Sequence, residues 1–215
     1  LLVNFFTVGD FAGLLSRKAM LPLIVFSMLF GFAVSLNGGK DSVVGKFLED
    51  MLRFMESGKH PNLELKENGL MHIEGRDEPM TWMNSTVNGK PVVPRTGYVV
   101  EINALWYNAL KFCAEMAISN GKPEMAAELD ARADIAKDSF QKIFVNPNGY
   151  LFDYVEEGIT DWSVRPNMIF PVAFDYSPLE PEQKKSVLDF CTRELLTPKG
   201  LRTLSPKSGG YNPIY

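Results

Sequence analysis

Cysteine and histidine are scarce in this sequence, and their scarcity argues against two kinds of protein. The 215 residues contain two cysteines, Cys113 and Cys191, and two histidines, His60 and His72. Each cysteine falls on the apolar stripe of a predicted helix, so we expect buried reduced thiols and no disulfide framework. Neither histidine has cysteine, histidine or acidic neighbours at ligand spacing, so we expect no metal site.

Positive charge is not concentrated anywhere along the chain. The net charge is −4 and no run of lysine and arginine occurs, which argues against nucleic acid as a partner. The sequence shows no glycine-rich phosphate loop and no Ser-His-Asp arrangement, and we expect no cofactor. Hydrophobic residues make up 46% of the chain, with 15 phenylalanines and 3 tryptophans, and this composition favours a packed globular core over disorder.

The first forty residues have almost no charge. They hold only four of the chain's 22 basic and 26 acidic residues. Ala19 to Leu36 is an uncharged run of eighteen residues, and as a helix it would be about 27 Å long, enough to cross a bilayer core. The run predicts a hydrophobic transmembrane-like helix, with membrane association through residues 19–36 if it inserts. A signal peptide and a buried globular helix stay open as alternatives.

This apolar segment also has a resemblance. Over residues 1–45, the stretch NFFTVGDFAGLLSRKAMLPLIVFSMLFGFAVSL resembles one membrane segment of a bacterial dicarboxylate or amino acid:cation symporter. It carries none of the ligand-binding residues of those transporters, and one span cannot enclose a translocation path. We predict three parts: a symporter-derived segment over 1–40, a seam with an amphipathic helix over 41–58, and a separate domain over 59–215. A gene fusion, a chimera and a mispredicted reading frame are all open explanations.

Apolar residues at three- and four-residue spacing predict that most of the remaining chain is helical. The predicted helices are Ser42–Ser57, a central helix from about Glu101, Pro123–Phe144, and a last helix to about Leu196 that follows a capping-box-like Ser177-Pro178-Leu179-Glu180. The short Asn120-Gly121 connection predicts that the central helix and the next one form an antiparallel αα-hairpin. A short β-hairpin is predicted to turn at Glu67-Asn68-Gly69. The predicted fold class is therefore mainly α.

The most informative stretch is Met80 to Leu110, MTWMNSTVNGKPVVPRTGYVVEINALWYNAL. It places Trp82, Arg95 and Glu101 where a loop enters an apolar helix. Aromatic rings with a few placed polar groups are typical of a site for a hydroxyl-rich ligand such as a sugar. An ordinary helix with a Gly- and Pro-rich approach is the alternative interpretation.

The order Thr-Trp-Met, Pro-Arg-x-Gly and Val-Glu-Ile-x-Ala-Leu-Trp-Tyr-Asn-Ala-Leu resembles the C-terminal amylo-α-1,6-glucosidase domain of bacterial glycogen debranching enzymes. The resemblance runs from about residue 60 to residue 215 and includes Arg165-Pro166-Asn167 and the Gly-Leu-Arg-Thr-Leu-Ser-Pro loop that contains Arg202. It implies a partial α/α toroid of helical hairpins, an inverting glycoside hydrolase, a cytoplasmic location, and glycogen or a limit dextrin as partner.

The resemblance also implies a defect in the catalytic pair. Inverting glycosidases need a carboxylic acid and a carboxylate base about 6.5–9.5 Å apart. The family's acid is the Asp of a Thr-Trp-Met-Asp motif, and this position is Asn84. The family's base follows a His-Gln-Gly-Thr-x-Trp-Pro-Trp segment that the sequence does not contain. Glu101 is the nearest replacement acid, although a structural carboxylate at a helix start is the alternative; Asp153 and Asp161 are interpreted as loop acids.

Six other residues are expected to contribute to a glucan site by resemblance: Trp82, Arg95, Trp106, Arg165, Asn167 and Arg202. Trp82 would stack on a sugar face, and the others would bind hydroxyls or brace loops. Trp106 lies on the apolar face of the predicted helix, which favours core packing over a role in the site, and Arg202 is equally interpreted as a structural loop anchor. We therefore expect a truncated glucosidase domain that is inactive alone, with a symporter fragment and a non-catalytic glucan-binding module as the alternative functions.

Overall fold

The computed structural model describes residues 43–213, with side chains from residue 49 onward. The helices in this part are α1 Val43–Glu56, α2 Val100–Ser119, α3 Pro123–Phe144, α4 Phe170–Ala173 and α5 Pro181–Leu195, and a 3-10 helix Pro166–Ile169 precedes α4. The predicted helix Ala19–Leu36 and the symporter resemblance lie outside the described residues. Among residues 43–213, no helix is long and apolar enough to cross a membrane.

The long helices follow the predicted periodicity closely. The bounds of α3 agree with the prediction, because Pro123 suits the first turn of a helix. Helices α2 and α3 are joined by three residues and pack against each other as the predicted hairpin. The face of α3 that meets the core carries small alanines, Ala133 and Ala136, between the larger Leu129 and Phe140, and all four are buried. The small side chains allow the two helix backbones to approach closely.

The sheet is larger than the sequence predicts. Five antiparallel strands pair in the order β1-β2-β5-β6-β7. They are β1 Leu63–Leu65, β2 Met71–Ile73, β5 Gly97–Val99, β6 Tyr154–Glu156 and β7 Ile159–Thr160. Two separate two-stranded ribbons are β3 Thr86–Val87 with β4 Lys90–Pro91, and β8 Leu196–Thr197 with β9 Gly200–Leu201. The predicted hairpin at Gly69 is confirmed as β1–β2.

One buried amide joins α2 to this sheet. The side chain of Asn103 accepts a hydrogen bond from the backbone N–H of Met71 at 2.7 Å and donates one to the carbonyl of Met71 at 3.0 Å. It also donates to the carbonyl of Val99 at 3.1 Å. Asn103 is fully buried, so it supplies the backbone N–H and carbonyl of Met71 in β2 with hydrogen-bond partners where water cannot reach. The register between helix and sheet is therefore set by hydrogen bonds as well as by packing.

Two expectations need correction. The predicted mainly α fold is corrected to a mixture of helices and small sheets. The sequence did not reveal most of the strands, because strands of two or three residues are too short to show alternation. The last helix begins at Pro181, and its cap is Glu180, whose N–H donates to Gln183 Oε1 at 2.8 Å. The hydroxyl of Ser177 instead accepts from the N–H of Leu179 within the preceding turn. The α/α toroid stays a prediction.

Gly97 allows the closest backbone approach in the sheet. Its φ is +93°, and a Cβ at this position would lie 2.4 Å from the carbonyl oxygen of Val155 and 2.9 Å from the Cα of Glu156. Only glycine adopts this conformation without strain, and only glycine leaves room for strand β6. The Gly of the Pro-Arg-x-Gly motif is therefore required by the β5–β6 pairing.

Replacing Gly97 with alanine should destabilise the fold more than the same change at Gly89. Gly89 has a similar φ of +79°, but a Cβ there meets nothing within 4 Å. Gly97→Ala should lower the free energy of unfolding by about 3 kcal/mol, because strain and overpacking add, whereas Gly89→Ala should cost about 1 kcal/mol. Urea denaturation measures both. Equal losses in the two variants would contradict the close approach at Gly97.

Candidate functional site

Arg95 is the centre of a buried polar network. Its guanidinium forms two hydrogen bonds to the Glu101 carboxylate, one from Nη1 to Oε1 and one from Nη2 to Oε2 at 2.7 Å. Nη2 also donates to Asp153 Oδ1 at 3.0 Å, and Nε lies 2.9 Å from Asp153 Oδ2 in an ion pair that lacks hydrogen-bond alignment. Arg95 is 2% exposed, and both carboxylates are as deeply buried. One guanidinium thus holds two carboxylates.

The fold brings these three groups together from distant parts of the chain. Arg95 precedes β5, Glu101 lies in the first turn of α2, and Asp153 precedes β6. Strands β5 and β6 pair side by side, and the N–H of Val100 donates to the carbonyl of Asp153 at 3.1 Å. The strand pairing therefore places Asp153 beside the corner where β5 becomes α2.

The pKa values reflect this burial. Burial alone lowers the pKa of Arg95, but the charges of Glu101 and Asp153 outweigh it and raise the pKa above its usual value. Burial raises the pKa of Asp153 to about 6, against the lowering influence of Arg95. The guanidinium therefore stays charged, and Asp153 is the member of the network that can take up a proton in mildly acidic solution.

Asn167 extends the network toward the surface. Its side chain donates to Asp153 Oδ1 at 2.6 Å and accepts a hydrogen bond from the indole N–H of Trp82 at 2.9 Å. Asn167 is fully buried, whereas Trp82 is partly exposed. The Arg-Pro-Asn and Thr-Trp-Met motifs, 85 residues apart between Trp82 and Asn167, therefore meet at one place. This junction is the candidate site.

Two further residues border the junction. Arg165 is 11% exposed at its side chain, and its Nε lies 3.5 Å from Asp153 Oδ2. Asn84 is exposed on the loop after Trp82, and its N–H donates to the carbonyl of Trp82 at 3.0 Å. The structure thus brings together five of the predicted site residues besides Asn84: Trp82, Arg95, Glu101, Arg165 and Asn167.

The other two predicted binding residues lie elsewhere. Trp106 is 2% exposed in the core, and its indole N–H donates to the carbonyl of Gly69 at 3.0 Å. Its ring has no open face, so the structure supports the core interpretation. Arg202 is partly exposed after β9, where its backbone N–H donates to the carbonyl of Leu195. Within the described residues, no side-chain hydrogen bond or ion pair joins Arg202 to the network.

The geometry bears on the proposed chemistry of Glu101. Both of its carboxylate oxygens accept hydrogen bonds from Arg95, and it is 1% exposed. A carboxylate held in this way has no free oxygen to protonate a leaving group. The sequence interpretation of Glu101 as a structural carboxylate agrees with this placement. Asp153 is interpreted from the sequence as a loop acid, but it is a central member of the network. The sequence does not predict this role, because Asp153 and Arg95 are far apart along the chain.

Comparison with known proteins now defines the class. The structure places Trp, Arg and Asn side chains on helix-entry loops. Over residues 12–215, the sequence matches a glycoside hydrolase family described as amylo-alpha-1,6-glucosidase. The chain therefore belongs to the amylo-alpha-1,6-glucosidase family.

A curated relative supports this assignment. The chain is similar to the glycogen debranching enzyme of Saccharomyces cerevisiae, with 24% identity over 216 residues. The match covers 76% of this chain and 14% of the yeast protein, so the chain spans about a seventh of that protein's length. Neither comparison supports the symporter resemblance, and the family match includes Ala19–Leu36. The predicted division into residues 1–40, 41–58 and 59–215 stays a prediction.

Removing the charge of Arg95 should destabilise the protein strongly. Arg95→Met leaves the buried Glu101 without a cation and leaves Asp153 with only the 3.5 Å contact to Arg165, and an unpaired buried charge costs about 3–5 kcal/mol. Arg53→Met is the matched control, because Arg53 is 74% exposed and its contact with Glu49 is a 3.9 Å surface pair; its effect should stay within about 0.5 kcal/mol. Denaturant titration at pH 7 measures both.

The loss in Arg95→Met should shrink in mild acid. Without Arg95, the pKa of Asp153 rises further above its already raised value, because its main lowering charge is gone. A carboxyl whose folded-state pKa exceeds its unfolded-state pKa contributes most to stability at low pH and loses that contribution as the pH rises. The difference from wild type should therefore be smaller at pH 5 than at pH 7. A difference that is constant with pH would contradict the role of Arg95 as counter-ion.

Proposed function

We propose that this chain binds α-glucan at the Trp82–Asn167 junction but does not hydrolyse α-1,6-glucosidic bonds. The observation that carries the proposal is the state of the two candidate acids. Asn84 stands at the family's acid position, and an amide cannot donate the catalytic proton. Glu101, the nearest replacement, is engaged at both oxygens by Arg95.

The surface side of the junction suits a sugar. Trp82 is partly exposed and its indole N–H is already bonded to Asn167, so the ring is held in one orientation. A held aromatic ring can stack on the apolar face of a glucosyl unit with little loss of side-chain entropy. Within the described residues, Arg165 makes no hydrogen bond through its terminal Nη atoms, and these can donate to sugar hydroxyls.

This proposal implies glycogen or a limit dextrin as partner and a cytoplasmic location. It combines two interpretations of the sequence: the glucosidase family and a non-catalytic glucan-binding role. The α/α toroid belongs to the same proposal, with α2 and α3 as one of its helical hairpins. The symporter alternative has no observation in its favour.

The first test is glucose release from a glycogen limit dextrin. The unaltered chain should release no more glucose than a protein-free blank, because Asn84 supplies no general acid and Glu101, engaged by Arg95 at both oxygens, does not replace it. Glucose release well above the blank would overturn the proposal that the chain does not hydrolyse this bond.

A pair of variants examines the role of position 84 within that test. Asn84→Asp restores the family's carboxyl, and Asn88→Asp adds the same charge elsewhere on the same exposed loop. Release by Asn84→Asp but not by Asn88→Asp would assign the inactivity to the missing acid alone. Release by both variants would show that position 84 has no special role.

The second test is binding, measured by electrophoresis through gels that contain glycogen. The unaltered chain should be retarded, and Trp82→Ala should bind about threefold to tenfold more weakly, because it removes a stacking ring. Trp82→Phe keeps a ring and should retain most of the affinity. Lys90→Ala, an exposed change in the nearby strand β4, is the control. Equal retardation of Trp82→Ala and wild type would remove Trp82 from the site.

A further inference from the structure

A surface pocket is formed in part by the chain segment that leads into the candidate site. Its volume is about 540 Å³, and it is formed by the loop Asp161–Val164, the C-terminal half of α5 and the segment from Ser205 to Gly209. Sites for small ligands have volumes of about 300–1,000 Å³. The loop that forms one wall continues directly into Arg165 and Asn167, so one segment of chain serves both the pocket and the candidate site.

Trp162 provides an aromatic face in this pocket. It is 49% exposed, which is unusual for so large an apolar side chain. Its ring packs edge-to-face on Phe152, with centroids 4.6 Å apart and planes at 79°. Its carbonyl accepts a hydrogen bond from the hydroxyl of Tyr150 at 3.1 Å. The ring is therefore fixed by its contact with Phe152 and half exposed to solvent, which makes it available for stacking on a ligand.

The polar groups around Trp162 include one carboxylate oxygen with unused capacity. Asp161 Oδ1 accepts from the N–H of Ser163 at 2.8 Å, and this contact fixes the carboxylate. No described residue donates a hydrogen bond to Asp161 Oδ2. Within the same described range, the hydroxyls of Ser163 and Ser208 also have no hydrogen-bond partner. A fixed carboxylate beside hydroxyls can accept and donate hydrogen bonds to neighbouring sugar hydroxyls.

The charges of the pocket favour a neutral ligand. Glu194 Oε1 accepts from Lys207 at 2.8 Å and from Arg193 at 3.2 Å, and Oε2 accepts from Ser205 at 3.3 Å. Lys207 and Arg193 are therefore both paired with Glu194, and among the described residues of the pocket the Asp161 carboxylate is the charged group without a paired cation. An anion would meet repulsion there, whereas a polyhydroxylated chain would find hydrogen-bond acceptors and an aromatic face.

We propose that the pocket around Trp162 and Asp161 is a second contact site for an α-glucan chain, with Trp162 stacking on a glucosyl face and Asp161 accepting hydrogen bonds from its hydroxyls. This inference rests on the proposed function. A chain that occupies both surfaces follows the loop from Asp161 to Asn167, so the pocket holds glucosyl units beyond those at Trp82.

The test is binding of maltoheptaose, measured by isothermal titration calorimetry. Trp162→Ala should bind about tenfold more weakly and Trp162→Phe within about threefold of wild type, because phenylalanine keeps a ring. Asp161→Asn keeps the oxygen that caps Ser163 but replaces Oδ2 with a donor, and it should weaken binding about threefold to tenfold. Leu188→Ala is the control, because Leu188 is 45% exposed on α5 and does not line the pocket.

A second readout follows Trp162 directly. It is the most exposed of the three tryptophans, so it should dominate quenching of the fluorescence by acrylamide. Maltoheptaose should protect it, and most of the protection should be lost in Trp162→Phe, with the remainder coming from the partly exposed Trp82. Inorganic phosphate at the same concentration should give no protection, and protection by phosphate would overturn the assignment to a neutral sugar.

The outcomes separate this inference from the proposed function. If Trp82→Ala weakens binding while Trp162→Ala and Asp161→Asn bind as wild type, the pocket is not a glucan site and the proposed function stands. If wild type binds no maltoheptaose, both this inference and the proposed function are wrong. If Trp162→Ala weakens binding and its thermal melting matches wild type, the pocket is confirmed. Weaker binding in Leu188→Ala as well would overturn the assignment to this pocket.

Discussion

The pairing of Arg95 with Glu101 and Asp153 is the constraint on which the arrangement of the site depends. A guanidinium with 2% exposure is costly to remove from water, and two hydrogen-bonded carboxylates offset that cost only when their geometry is good. The pairing therefore requires the start of α2, the approach to β5 and the approach to β6 to occupy fixed relative positions. Gly97 makes this possible, because a side chain there would hold β6 away from β5.

The same network separates structural carboxylates from the groups that are open to ligand. Glu101 and Asp153 are hydrogen-bonded to Arg95, and Asn167 accepts a hydrogen bond from the partly exposed Trp82. The chemistry of the site is then left to residues on the outer loops, where Asn84 replaces the acid that the family resemblance implies. Membership of the amylo-alpha-1,6-glucosidase family is therefore compatible with the loss of the acid that we propose, because the framework that holds the loops is independent of the group that transfers the proton.

The loop from Asp161 to Asn167 connects the two surfaces that we assign to glucan. At one end, Asp161 and Trp162 border a pocket whose basic groups are already paired with Glu194. At the other end, Asn167 is anchored to Asp153. An extended polymer suits this arrangement better than a single sugar, because two modest contacts on neighbouring surfaces add their binding energies without a second loss of freedom.

Local features of this chain could be predicted from its sequence. The bounds of α3, the hairpin turn at Gly69 and the convergence of polar groups near Trp82 all follow from periodicity and turn chemistry, which act over a few residues. The five-stranded sheet and the role of Asp153 could not be predicted from the sequence. Asp153 meets Arg95 across 58 residues, and strands of two or three residues carry no visible alternation. Those features depend on which distant segments pair, and short-range sequence patterns do not encode that choice.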